Sequence, residues 1–124
     1  MTWVGRSSWA VAALLLAASA AQAGGDPVRG QALYESRCIA CHSLDANRTG
    51  PMHRGVYGRK AGSVARFGYS PAVKASAIVW DATTLDRWLT DPQKLIPGQR
   101  MNFRVALPED RADIIAYLKQ TSGK

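Results

Sequence analysis

The sequence predicts an all-α domain in which short helices alternate with long irregular connections. Three observations point there. Helix-start signals recur along the chain, apolar residues repeat with helical spacing, and two long stretches rich in turn formers carry no periodicity. No segment shows the alternation of a half-buried strand, and there are no repeats or low-complexity tracts.

Asp26-Pro27 opens the first helix, because the carboxylate can cap free amides and proline suits the first helical position. Val28, Ala32 and Leu33 are expected to form part of its apolar face, and the helix should run to about Cys38. Gly30 inside it costs about 1 kcal/mol against alanine, which a close helix crossing would explain. Residues 43–68 are rich in Gly, Arg and turn formers, so this stretch can wrap a cofactor but cannot form its own core. Ser70-Pro71 starts a short helix expected to reach Ala77. Asp81 caps the next, in which Leu85, Trp88 and Leu89 share a face, and Asp91-Pro92 stops it. Residues 95–107 form a second irregular segment containing Pro97, Gly98 and Met101. Pro108, Glu109 and Asp110 begin the last helix with negative charge at its positive end, and Ile114, Tyr117 and Leu118 make its inner stripe.

Ahead of the domain, the N-terminus reads as a secretory leader over residues 1–23. Arg6 gives a basic start, Trp9 to Ala20 is rich in Ala, Leu and Val, and Ala21-Gln22-Ala23 offers small residues at a cleavage site. The apolar run is short of the roughly 20 residues a bilayer span needs, and an uncleaved anchor is the competing reading. Cleavage after Ala23 leaves one domain, residues 24–124, small enough to be marginal on apolar burial alone.

Cys38-Ile39-Ala40-Cys41-His42 is a c-type haem attachment motif, and it holds both cysteines of the chain. The two thiols can each add to a porphyrin vinyl group, and the adjoining histidine is then placed to ligate the iron. A thioredoxin-like disulfide would need a strand and a βαβ setting, which these residues lack. A zinc site would need further ligands, and the one other histidine is His53. The expected cofactor is one covalent haem c per chain. Attachment outside the bacterial cytoplasm agrees with the leader, so the expected location is the periplasm.

Net charge is +7 for the whole chain. Loss of Arg6 with the leader leaves +6, and two ionised haem propionates reduce that to about +4. Such a balance suits acidic partners or peripheral contact with an anionic membrane surface. Nucleic acid is disfavoured by export and by the lack of a binding motif.

The domain resembles class I c-type cytochromes, including mitochondrial cytochrome c and its bacterial periplasmic relatives, over nearly all of residues 24–124. The likeness rests on Gly30 and Tyr34 before the haem motif, Thr49-Gly50-Pro51, Gly58-Arg59-Lys60, Tyr69 and Trp80. It continues in Ile96-Pro97-Gly98 with Met101 and Phe103, and in Ala116-Tyr117-Leu118-Lys119. The resemblance implies a small cytochrome c fold with the terminal helices crossing and long loops wrapping the haem. It implies Met101 as sixth ligand beside His42, and Pro51 as the carbonyl that orients the His42 ring. Arg59, Tyr69 and Trp80 match positions that hydrogen-bond a buried propionate, which needs donors or positive charge away from water. Gly30 and Tyr117 match the contact between terminal helices. Four departures stand out: Val73 for an asparagine, Gln99-Arg100 for threonine-lysine, Trp88 for a tyrosine, and His53 for a leucine packed by the haem. Met52 and His53 are the alternative iron ligands, both in the loop expected on the His42 side.

The function expected is a soluble, monomeric electron carrier, not an enzyme, passing single electrons between larger redox complexes such as those of a respiratory chain. Two protein ligands leave no open iron position for substrate. The competing readings are a dedicated cytochrome subunit of a periplasmic dehydrogenase, and a haem peroxidase or gas-binding protein. Arg37, Lys60, Lys94, Arg100 and Arg104 are expected to ring the haem crevice with few carboxylates among them, facing an acidic docking surface.

Overall fold

The computed structural model describes residues 1–2 and 24–124, so the expected leader, apart from Met1 and Thr2, and its cleavage site lie outside the described residues. Among the described residues five helices carry the fold: α1 (Pro27–Arg37), α2 (Pro71–Lys74), α3 (Ala82–Thr90), α4 (Pro92–Leu95) and α5 (Pro108–Thr121). Their starts follow local chemistry. Asp26 accepts the Val28 amide at 2.9 Å, and Ser70 accepts that of Val73 at 3.2 Å. Asp81 and Thr84 form a reciprocal capping box, each side chain accepting the other's backbone N–H at 2.9 Å.

Two elements differ from the sequence expectation. Asp91-Pro92 both ends α3 and starts α4, where Asp91 accepts the Lys94 amide at 3.2 Å. An Asp-Pro pair is a helix-start signal wherever it stands, so reading it only as a stop missed the short helix. The second helix ends at Lys74, short of Ala77. Beyond it the chain turns into backbone pairing: Ala61 donates to Ile78 (2.8 Å), Trp80 to Arg59 (2.9 Å) and Gly58 to Trp80 (2.6 Å), around an isolated antiparallel bridge of Lys60 with Val79.

The terminal helices α1 and α5 cross in backbone contact. A Cβ placed on Gly30 would lie 1.9 Å from the carbonyl oxygen of Asp113 and 3.1 Å from Cβ of Tyr117, so only glycine fits the crossing. The inward face of α1 is therefore Gly30 and Tyr34, with Leu33 partly buried. Val28 is 78% exposed and Ala32 is exposed too, contrary to the expected apolar face. Helix α5 buries Ile114, Ile115, Tyr117 and Leu118, and packs on α3 as well, which buries Leu85 and Leu89. These residues join Val56, Ala61, Val73, Trp80, Ile96 and Val105 in one core.

Charge reinforces the crossing. Asp110, its side chain 1% exposed, bridges Arg29 (2.6 Å) and Arg37 (2.9 Å), while Asp113 takes Arg29 (2.6 Å) and the Asp26 amide (2.7 Å). Asp110 thus does more than complement the helix dipole. Arg29 first, with Arg37 adding to it, holds the Asp110 carboxyl below the usual carboxylate range despite burial. A carboxyl with a depressed folded-state pKa stabilises the fold above its unfolded value of about 3.9, and that contribution is lost as pH falls through the folded value. Asp110→Asn should therefore be less stable than the wild type near neutrality. The gap in unfolding free energy should narrow as denaturant titrations are repeated below about pH 4. A gap independent of pH would show that the charge of Asp110 contributes nothing.

Candidate functional site

The Cys38–His42 segment continues the α1 spiral past its end. Cys38 caps the helix by donating to Tyr34 (2.8 Å), then accepts from Cys41 (3.2 Å) and His42 (2.9 Å). One helical turn sets residues i, i+3 and i+4 on a common face, so Cys38, Cys41 and His42 share a side. The thiols are not bonded to each other. Cys38 packs against the core and burial pushes its thiol up to about 11, whereas Cys41 is exposed.

Residues 47–54 close around His42. The Gly50 amide donates to Cys41 (2.8 Å), Arg48 reaches the Ile39 carbonyl (2.5 Å), and Asn47 accepts the Met52 amide (3.0 Å). This fold-back places the Pro51 carbonyl 2.8 Å from Nδ1 of His42. A carbonyl can only accept, so Nδ1 carries the proton and the neutral ring keeps its lone pair on Nε2. Burial lowers the His42 pKa and outweighs the opposite effect of the Pro51 bond, which favours that neutral ring. Gly50 makes the approach possible, since a Cβ there would sit 2.1 Å from Cε1 of His42. On another side His53 stacks on His42, with ring centroids 3.8 Å apart and planes at 19°.

In this stack His53 meets His42 face to face, rather than with the two rings directing nitrogens at a common point. Burial, and then the neighbouring His42 and Arg59, keep the His53 pKa well below the ordinary histidine value. Met52 lies in the same loop; its carbonyl accepts from Arg59 at 2.8 Å.

A second group gathers at the 58–61/78–80 pairing. It joins Arg59 and Trp80 on neighbouring chains, with Trp80 buried against Trp88 at 5.2 Å between ring centroids. Arg59 is half-buried; burial lowers its pKa, with a smaller opposite effect from nearby Tyr69. Its partners are the Met52 and Arg54 carbonyls, and no carboxylate pairs with it among the described residues. Tyr69 accepts the Val64 amide at 3.1 Å, which leaves its own hydroxyl proton to give.

Met101 comes from the separate 96–107 segment and packs partly buried on the core. Its amide donates to Oε1 of Gln99 at 2.5 Å, and Gln99 is itself buried and reaches Gln93 at 3.4 Å. Further along, Val105 donates to Leu89 (2.8 Å) while Arg111 grips the Val105 and Ala106 carbonyls (2.9 and 3.0 Å). Gln99, Gly50 and Arg111 are the contributors that sequence reasoning missed or left without a role. A glutamine two residues before the expected ligand was the available signal for Gln99.

The chain matches the cytochrome c family model over residues 27–122. It is 41% identical over 119 residues to cytochrome c2 of Rhodomicrobium vannielii, covering 92% of this chain and 94% of that protein. It is 47% identical over 98 residues to cytochrome c of Euglena viridis, covering 77% of this chain and 96% of the relative. Among solved structures, cytochrome cH from Methylobacterium extorquens superposes with a TM-score of 0.74 at 41% identity, over 77% of this chain and 99% of that one.

The chain belongs to the cytochrome c family.

Its cofactor is haem c and its activity electron transfer. The residues present fit that group. Two thiols sit one helical turn apart beside an imidazole with a directed Nε2 lone pair, and a half-buried guanidinium lacks a carboxylate among the described residues. No cluster of three or more His, Cys, Asp and Glu suited to a bare metal ion occurs among the described residues.

The expected ring of five cations needs correction. Arg37 is tied to Asp110 at 2.9 Å and Arg104 to Asp91 at 3.2 Å, so both already have carboxylate partners. Lys60, Lys94 and Arg100 are exposed and make no ion pair among the described residues.

Gly50→Ala should destabilise the haem-loaded protein by roughly 1–3 kcal/mol, as overpacking beside the His42 ring does. Gly68→Ala, whose added carbon meets nothing within 4 Å, should stay close to wild type. Denaturant unfolding of the two variants side by side checks the difference, and equal effects would refute it.

Proposed function

We propose that the mature domain is a diffusing periplasmic one-electron shuttle, not an enzyme, with His42 and Met101 as the axial ligands. The observation that carries this reading is the confinement of His42: Nδ1 bonded to Pro51, the Cε1 edge against Gly50, one face on His53. Haem supplies the ferric/ferrous couple, and this chain's residues hold it. Cys38 and Cys41 tether it, His42 offers Nε2, and the Met101 thioether is the soft donor that favours the ferrous state. Ligand side chains fixed by packing move little when an electron enters or leaves, so little energy is lost to rearrangement. Arg59, Tyr69 and Trp80 would satisfy a propionate withdrawn from water. The leader features at residues 1–23 support export, and no helix of the described residues is long and apolar enough to cross a membrane.

Ligation is tested at Met101. Met101→Ala should abolish the weak long-wavelength sulfur-to-iron band of the ferric protein, lower the reduction potential and admit carbon monoxide. An unchanged spectrum in that variant, or carbon monoxide binding by the ferrous wild type, would sink the six-coordinate carrier and favour a gas-binding or peroxidase role.

Docking is tested by salt. Of the five cations expected at the haem crevice, Lys60, Lys94 and Arg100 are exposed and make no ion pair among the described residues, which suits them to steer the protein onto an acidic partner. The second-order rate with a redox partner should fall steeply as ionic strength rises, because the Debye length shrinks from about 30 Å at 0.01 M to about 8 Å at 0.15 M. Lys94→Glu or Arg100→Glu should slow it further at low salt and matter little at high salt. A rate indifferent to both leaves these cations without a docking role.

A further inference from the structure

His53 stands outside the attachment motif, yet among the described residues its ring is the aromatic one stacked on His42. It is also held from behind. Its Nδ1 is 3.0 Å from the Tyr34 hydroxyl, and its amide donates to the Ser43 carbonyl at 3.0 Å. Tyr34 in turn is 2% exposed and packs its ring on Tyr117 of α5, with centroids 5.3 Å apart. A line of contacts therefore runs from the crossing of α1 and α5, through Tyr34 and His53, to the face of His42.

The Pro51 bond alone does not fix the plane of the His42 ring, because a hydrogen bond tolerates considerable misalignment before it weakens. A planar neighbour is more selective. Aromatic rings in contact prefer particular mutual orientations, whereas an aliphatic side chain at the same place would accept many. A leucine at this position would fill the space without choosing a plane.

We propose that His53 is a positioning residue for His42, fixing the rotation of the ligand ring by stacking on its face while Tyr34 anchors the stack. The proposal rests on the reading of His42 as an iron ligand. In a ferric haem, the plane of the axial imidazole selects which iron d orbital shares its unpaired spin with the porphyrin. The pattern of paramagnetically shifted haem-methyl resonances therefore reports that plane, independently of electron-transfer activity.

The experiment compares holoproteins carrying His53→Leu, His53→Phe and Tyr34→Phe with the wild type by proton NMR. In the ferrous state, a strong upfield ring-current displacement of the His42 ring protons identifies it as a ligand. In the ferric state, His53→Leu should reorder the haem-methyl resonances, His53→Phe should restore the wild-type order by keeping a planar ring, and Tyr34→Phe should shift them part-way. A methyl pattern unchanged in His53→Leu, with His42 still displaced upfield, would overturn the positioning role alone. So would a change in His53→Phe as large as in His53→Leu. Failure of His42 to show the ferrous displacement in the wild type would remove the ligand reading and this proposal together.

Discussion

The contact at Gly30 is where two chain termini become one scaffold, and the haem site is built outward from it. With no side chain on α1 at that point, α5 lies against bare backbone, and the Asp113 carbonyl occupies the volume a Cβ would take. Tyr34 follows Gly30 by one turn and so faces the same crossing. From there its ring meets Tyr117 and its hydroxyl meets His53. About one to two turns beyond Tyr34 the same α1 spiral delivers the cysteines and His42. A shift in the crossing would move both the motif and the residue stacked on it. The buried Asp110, shared by Arg29 and Arg37, ties together the two helices whose register matters most.

Outside the helices the chain has few means of holding itself. Residues 43–68 contribute Val56 and Ala61 to the core, and their order comes from side chains that grip backbone: Arg48 on Ile39, Asn47 on Met52 and Ala65, Arg59 on Met52. The Met101 segment is treated alike, with Gln99 inside it and Arg111 behind it. Arg111 also bonds Asp86 at 2.7 Å, so one guanidinium links α3, α5 and the end of that segment. A domain of this size buries too little apolar surface to order such loops alone, which gives the covalent haem a structural as well as a chemical part.

Legibility in the sequence followed the range of the interaction concerned. Helix starts at Asp26-Pro27, Ser70-Pro71 and Asp81 were readable because capping acts within three residues, and the start at Pro108 because a first-turn proline and acidic residues mark it locally without a side-chain cap. The Gly30 crossing was readable as well, since a costly glycine inside a helix needs a reason. The apolar face assigned to Val28 and Ala32 failed because hydrophobicity marks candidates for burial, while the crossing geometry chose Gly30 and Tyr34. Asp110 looked like a helix-dipole residue because its partners, Arg29 and Arg37, lie far away along the chain. His53 was visible as a departure from its relatives. Its stacking on His42 was not, because it depends on the fold-back that pairs His53 with Ser43 and Pro51 with His42.

Contacts between residues distant along the chain also divide its positive charge. Arg37 and Arg104 have the exposure of docking residues, yet each is drawn to a carboxylate and serves the scaffold. An arginine with a fixed partner presents a smaller net field to an approaching protein, because its charge is locally compensated. Lys60, Lys94 and Arg100 carry uncompensated charge at the surface, and a cation of that kind acts at range. Lysine suits this task, being a strongly hydrated charge on a flexible stem that need not hold one geometry, whereas the planar fork of arginine suits the bridges to Asp110 and Asp113. An electron carrier has to meet partners quickly and leave them quickly. In the docking proposed above, steering by unpaired cations would serve the first need without the extensive apolar contact that would defeat the second.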